Sequence, residues 1–331
     1  MRIVAVVVLA AVLGCGRSQG TQAVPEAAPA EVVAIAGPEP VAVVRLGEVE
    51  LRLYGAAAAA AFLGQRDEFV AAMSGFDRQA RVGSREPVDE AAFLAHVKAQ
   101  TLEWGAAEIE AVRAAAAELG VALERQGIAL PIRGAVNLVR TTGKEEIPGA
   151  AYTRGLTVVF PEGSNVSAGL LAHELFHVMT RNDAALRDRL YAAIGFRPNA
   201  RVELGGELAA LRITNPDAPR VDHAIEVRVD GSPRKATPVI YASRAYDGGT
   251  VFDYLQVKLA LLDDRGTLTD PVDLRDFGAV EGFFEQVGRN TSYIIHPEEI
   301  LAENFRLLAT ASAEVKTPEI LEGVRGALRA R

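Results

Sequence analysis

Residues 170–180 read Leu-Leu-Ala-His-Glu-Leu-Phe-His-Val-Met-Thr, and no other stretch constrains the fold as tightly. On a helix, residues four apart share a face, so His173 and His177 offer two imidazole nitrogens to one point. Glu174 follows the first histidine closely enough to reach a water there. The flanks Leu170, Leu171, Leu175 and Val178 are apolar on both sides, which predicts a buried helix. Two imidazoles and a carboxylate side by side in a core are costly unless something pairs with them, and a divalent cation does so. The pattern is that of two metal ligands plus a general base. A core histidine with its N–H satisfied is the alternative. Ser164 or Ser167, after Pro161-Glu162-Gly163, supplies an N-cap.

The chain has 331 residues and a formal charge of −8. The acidic balance, without a Lys/Arg cluster, argues against a nucleic-acid partner. Abundant alanine and few aromatics favour helices over an all-β fold. Arg2 followed by the apolar run Ile3–Leu13 reads as a targeting segment too short to span a bilayer. Val12-Leu13-Gly14-Cys15 resembles the lipobox of bacterial lipoproteins, in which the cysteine becomes the lipidated first residue; an ordinary signal peptide is the alternative. Cys15 is the only cysteine, so an internal disulfide is excluded. A lipid anchor on Cys15 makes a membrane the expected partner and the bacterial cell envelope the expected location.

Residues 16–40, rich in Ala, Pro, Gly, Ser and Glu, read as a flexible tether. Residues 41–127 read as a helical N-terminal region: a strand or hairpin over Val41–Tyr54, then helices over Ala56–Met73, Val88–Glu103 and Ala106–Gln126. Strands follow at Ala135–Thr141, Gly149–Thr153 and Leu156–Phe160, then the His-Glu helix and a second helix capped by Asn182 or Asp183. Thr214–Pro219 reads as a rigid loop. Residues 222–262 read as a β-rich insertion whose last segment, Val251–Leu262, is compatible with strand or helix. Helices at Ala279–Val287, Pro297–Ala309 and Pro318–Ala330 end the chain. The small residues Ala150 and Ala151, with Tyr152, would let another backbone approach an edge strand, which makes them candidates for pairing with an extended peptide. An ordinary supporting hairpin explains them equally.

A catalytic zinc usually takes three protein ligands. A third histidine six residues after His177 is absent, since position 183 is aspartate, and Gly249–Asp253 offers a weaker aspartate candidate. The stronger candidate is Glu299, two residues after Pro297 at a helix start. Glu303, one turn on, suits the second N–H of a ligand histidine. A solvated acidic helix start is the alternative, and it accounts for Glu298.

A His-Glu-x-x-His motif followed downstream by Glu299 and Glu303 on a helix resembles the gluzincin class of metallopeptidases. Glu299–Leu307 is similar to the third-ligand helix of the anthrax lethal factor peptidase domain. The resemblance covers roughly residues 130–180 and 290–310. It implies an α+β fold with a zincin-like core over residues 128–331, and zinc as cofactor on His173, His177 and Glu299. It further implies Glu174 as general base for hydrolysis of a peptide or protein substrate. Tyr293, one residue nearer the glutamate than in that family, would stabilise the oxyanion, with His223 as a second candidate. The rival expectations are a non-catalytic envelope lipoprotein with a structural metal or partner-binding role, one with no metal, and a zinc hydrolase of cell-wall peptides.

Overall fold

The computed structural model describes residues 38–146 and 149–329. Cys15 and most of the expected tether lie outside them. The chain starts with a hairpin, β1 (Ala42–Leu46) and β2 (Val49–Leu53), turned at Gly47, whose φ of 57° suits a residue without Cβ. Four helices follow: α1 (Ala56–Leu63), α2 (Glu68–Ala72), α3 (Gly75–Val82) and α4 (Glu90–Ala99). The two-residue β3 (Thr101–Leu102) leads into α5 (Ala106–Gln126), which ends on Gly127 in the left-handed conformation at φ 61°. Then come β4 (Ala135–Thr141), β5 (Tyr152–Arg154), β6 (Thr157–Pro161), α6 (Ala168–Asn182) and α7 (Ala184–Ala192).

These strands make one mixed sheet in the order β1-β2-β4-β6-β5, with β3 paired to β4. β2, β4 and β6 run parallel, whereas β1 and β5 are antiparallel to their neighbours. β6 is buried along its whole length, as expected of a strand covered on both faces. Alternation sorts the side chains. Val136, Leu138, Val158 and Phe160 face the core that contains α5 and α6, while Val139, Val159 and Tyr152 face the layer of α1, α2 and α4.

β2, from the expected N-terminal region 41–127, pairs directly with β4, and the described residues form one compact unit. The N-terminal helices are the second covering of the sheet that carries the metal helix.

The β-rich region is also wider than residues 222–262. β7 (Phe196–Pro198) precedes the short helix α8 (Gly206–Ala210). β8 (His223–Val229), β9 (Ser232–Ala242), β10 (Leu255–Leu262) and β11 (Leu274–Arg275) then complete a second, antiparallel sheet in the order β11-β10-β9-β8-β7. The open assignment at 251–262 resolves as a 3-10 turn followed by strand. The chain closes with α9 (Phe283–Val287), α10 (Pro297–Ala309) and α11 (Pro318–Arg329). The class is α+β, with eleven α-helices and two sheets among the described residues. None of those helices is long and apolar enough to cross a membrane.

Candidate metal centre

α6 begins on Ser167, whose hydroxyl accepts the Leu170 N–H at 3.2 Å. Its Leu171, Ala172, Leu175, Phe176, Val178 and Met179 are buried among the sheet, α5 and α10. α10 starts with His296 as N-cap and Pro297 in its first turn, then buries Ile300, Leu301, Phe305 and Leu308 against the same core. Packing of these two helices brings together residues more than a hundred positions apart.

His173 Nε2 lies 3.3 Å, and His177 Nε2 3.7 Å, from the same oxygen, Oε2 of Glu299. Donors in a tetrahedral shell about 2.0–2.1 Å from an ion are roughly 3.3 Å apart, so the three atoms need little movement to share one cation. The outer ring nitrogens are taken. His173 Nδ1 is 2.9 Å from Glu303 Oε1, and His177 Nδ1 is 3.0 Å from Glu298 Oε1. Each Nδ1 thus points at a carboxylate and each Nε2 at Glu299, the orientation in which a neutral ring protonated on Nδ1 offers its Nε2 lone pair to a cation. His177 Nε2 is buried and has no hydrogen-bond partner. An orphaned buried nitrogen beside a buried carboxylate fits a pair of cation ligands. His173, His177 and Glu299 together could hold a metal ion.

The expected set of His173, Glu174, His177, Glu299 and Glu303 therefore converges. Glu298 is a correction. It is 2% exposed, not a solvated helix-start residue. Its carboxylate accepts His177 Nδ1–H, the Thr180 hydroxyl at 2.5 Å and the Tyr191 hydroxyl at 2.6 Å. The sequence held a signal for it: two ligand histidines need two outer acceptors, and Glu303 serves only one. Replacing Glu298 with alanine is expected to weaken divalent-metal binding at this site about 10- to 100-fold, measured by competition with a chromophoric chelator.

Asn215 escaped notice as well. Its Nδ2 donates to Glu299 Oε1 at 2.6 Å and so aims Oε2 at the histidines. Burial alone would raise the Glu299 carboxyl, but His177, His173 and Asn215 hold it down at about 2. Glu174 is the reverse case. Its carboxylate is 2% exposed and accepts the Thr153 hydroxyl at 2.9 Å, and burial outweighs the nearby His173, pushing it up to about 7.

No protein-family model, curated protein or solved structure matches this chain.

Three expectations change. Tyr152 turns its side chain away from α6 and donates to Glu145 at 3.1 Å on the opposite face of the sheet, so its side chain does not face the centre. Ala150 is exposed and Ala151 partly buried, both just before the edge strand β5. His223 has its two ring nitrogens against Asp222 (2.8 Å) and Asp188 (3.0 Å), which leaves none for an oxyanion. Asp253 closes the turn at Thr250. Tyr293 is 43% exposed, and desolvation, with the charges of Glu299, Asp217 and Glu174, pushes its hydroxyl pKa upward.

Proposed function

We propose that this chain is a zinc-dependent metallopeptidase with a zincin-like core, held to the bacterial cell envelope through lipidated Cys15. The observation that carries the reading is the convergence of His173 Nε2, an orphaned His177 Nε2 and Glu299 Oε2, with Glu174 beside them. His173, His177 and Glu299 would hold the ion, and Glu298 and Glu303 would orient the imidazoles. Zinc, when bound, acidifies water toward a pKa of about 7 and polarises a carbonyl.

The chain's own groups do the rest. Thr153 fixes one Glu174 oxygen, and the other takes a proton from the attacking water and later delivers it to the leaving amine. The Tyr293 hydroxyl supports the developing oxyanion. β5 is the outer strand of its sheet, so an extended peptide can add along its free edge.

One observation favours a non-catalytic metal protein instead: the Thr153 N–H on that free edge is already bonded, to Asp217 at 2.6 Å. The two readings part on a single comparison. Purified protein is expected to carry about one zinc per chain and to cleave unstructured peptides. Its His173→Ala and Glu299→Ala variants should lose both properties. Zinc without cleavage of any peptide would favour the structural role.

A further inference from the structure

The loop between α8 and β8 brings a second carboxylate to the centre. Asp217 Oδ1 accepts the Thr153 N–H at 2.6 Å and lies 4.0 Å from His177 Nε2. Glu174, His177 and Asp217 form a second group whose ligand atoms lie within 4.8 Å of one another, sharing His177 with the first group. The Asp217 side chain is only 11% exposed, and no arginine or lysine pairs with its carboxylate among the described residues. Two carboxylates buried this close repel unless a cation stands by.

The loop is held in place from several sides. Arg181 Nη2 donates to the carbonyls of Pro216 (3.0 Å) and Asp217 (2.6 Å). Asn215 Oδ1 accepts the Asp217 N–H at 3.0 Å. Thr214 is bound through its N–H and hydroxyl to Asp77 on α3, and its carbonyl accepts Arg81 Nη2–H at 2.8 Å. The N-terminal layer thus clamps the segment that covers the centre.

We propose that residues 215–219 form an autoinhibitory plug, in which Asp217 occupies two places a substrate needs. It takes the main-chain donor of β5 that an added strand would use, and it sets a carboxylate beside Glu174 and His177, in the space the water and the scissile bond need. The inference rests on the metallopeptidase reading and deepens it. A peptide can enter only when the Pro216–Ala218 segment lifts. A bound ion strengthens the closed form, and Asp217 in turn tightens the hold on the ion.

The test uses the full-length protein with Asp217→Ala and Asp217→Asn variants. Asparagine can keep the Thr153 hydrogen bond but carries no charge, whereas alanine removes both the bond and the charge. Zn2+ affinity is read by chelator competition, coordination by the visible spectrum of the Co2+-loaded protein, and cleavage with a mixture of unstructured fluorogenic peptides. Both variants are expected to bind Zn2+ about 10- to 100-fold more weakly and to shift the Co2+ spectrum. Asp217→Ala should also cleave peptides about tenfold faster than the parent, since activity scales with the fraction of chains in the open form. Unchanged affinity and spectrum in both variants would overturn the place of Asp217 beside the ion, and turnover at or below the parent level in Asp217→Ala would overturn the plug. A shifted spectrum with no cleavage by either protein upholds the place of Asp217 beside the ion and overturns the peptidase reading.

Discussion

A Glu174→Gln protein is expected to keep its zinc and to hydrolyse peptides about 10²- to 10⁴-fold more slowly than the parent. Glutamine has the shape of glutamate, and its carbonyl can still accept the Thr153 hydroxyl now 2.9 Å from Glu174 Oε2. It cannot take a proton. The retained zinc is the informative half of the result. Glu174 lies near His177 and Asp217 in a grouping that could itself hold a cation. If Glu174 were a ligand, the variant would lose metal and activity together. As a base, it loses activity alone. Elemental analysis beside kcat/KM separates the outcomes, and turnover preserved in the zinc-loaded variant would dismiss the base. An Asp217→Ala background widens the range over which the fall can be measured.

Removing Arg81 should be the most damaging single change to the fold. Its guanidinium is 3% exposed and bridges Asp77 at 2.5 Å and Glu146 at 2.7 Å, both buried. Arg81→Ala strips the cation from two desolvated carboxylates, which typically costs about 3–5 kcal/mol. The loss depends on pH, with a definite sign. Burial already raises the Glu146 carboxyl above 4.5 against the pull of Arg81, and without that cation it rises further. An acid whose folded pKa exceeds its unfolded value stabilises below the unfolded pKa and loses that contribution as pH rises. Urea melts of Arg81→Ala should therefore show a larger deficit at pH 8 than at pH 5. A deficit independent of pH would mean that Glu146 is not the group left stranded.

Much of the site was legible because short-range rules govern it. The four-residue histidine spacing, Pro297 in a first turn, and glycine after Gln126 set α6, α10 and α5 without reference to the rest of the chain. What stayed hidden depends on long-range packing. α3 carries its buried charges, Asp77 and Arg81, where an apolar stripe would be sought, so it went unread. Glu298 looked like an ordinary acidic helix start until Tyr191 and Thr180 closed over it. Asn215 and Asp217 sit in a Pro-flanked loop with no periodicity, and only the tertiary fold aims them at Glu299 and His177. The parallel pairing of β2 with β4 had no local mark either, because parallel strands are joined by long crossovers.

That crossover has a bearing on how the molecule comes into being. Glu303 stands 130 residues after the histidine it orients, and Thr214 stands 137 after the aspartate that grips it. A growing polypeptide therefore carries its motif helix long before its last donor exists. Contacts spanning such separations form slowly and late. A truncated product ending before Glu299 has two imidazoles but only part of a cage.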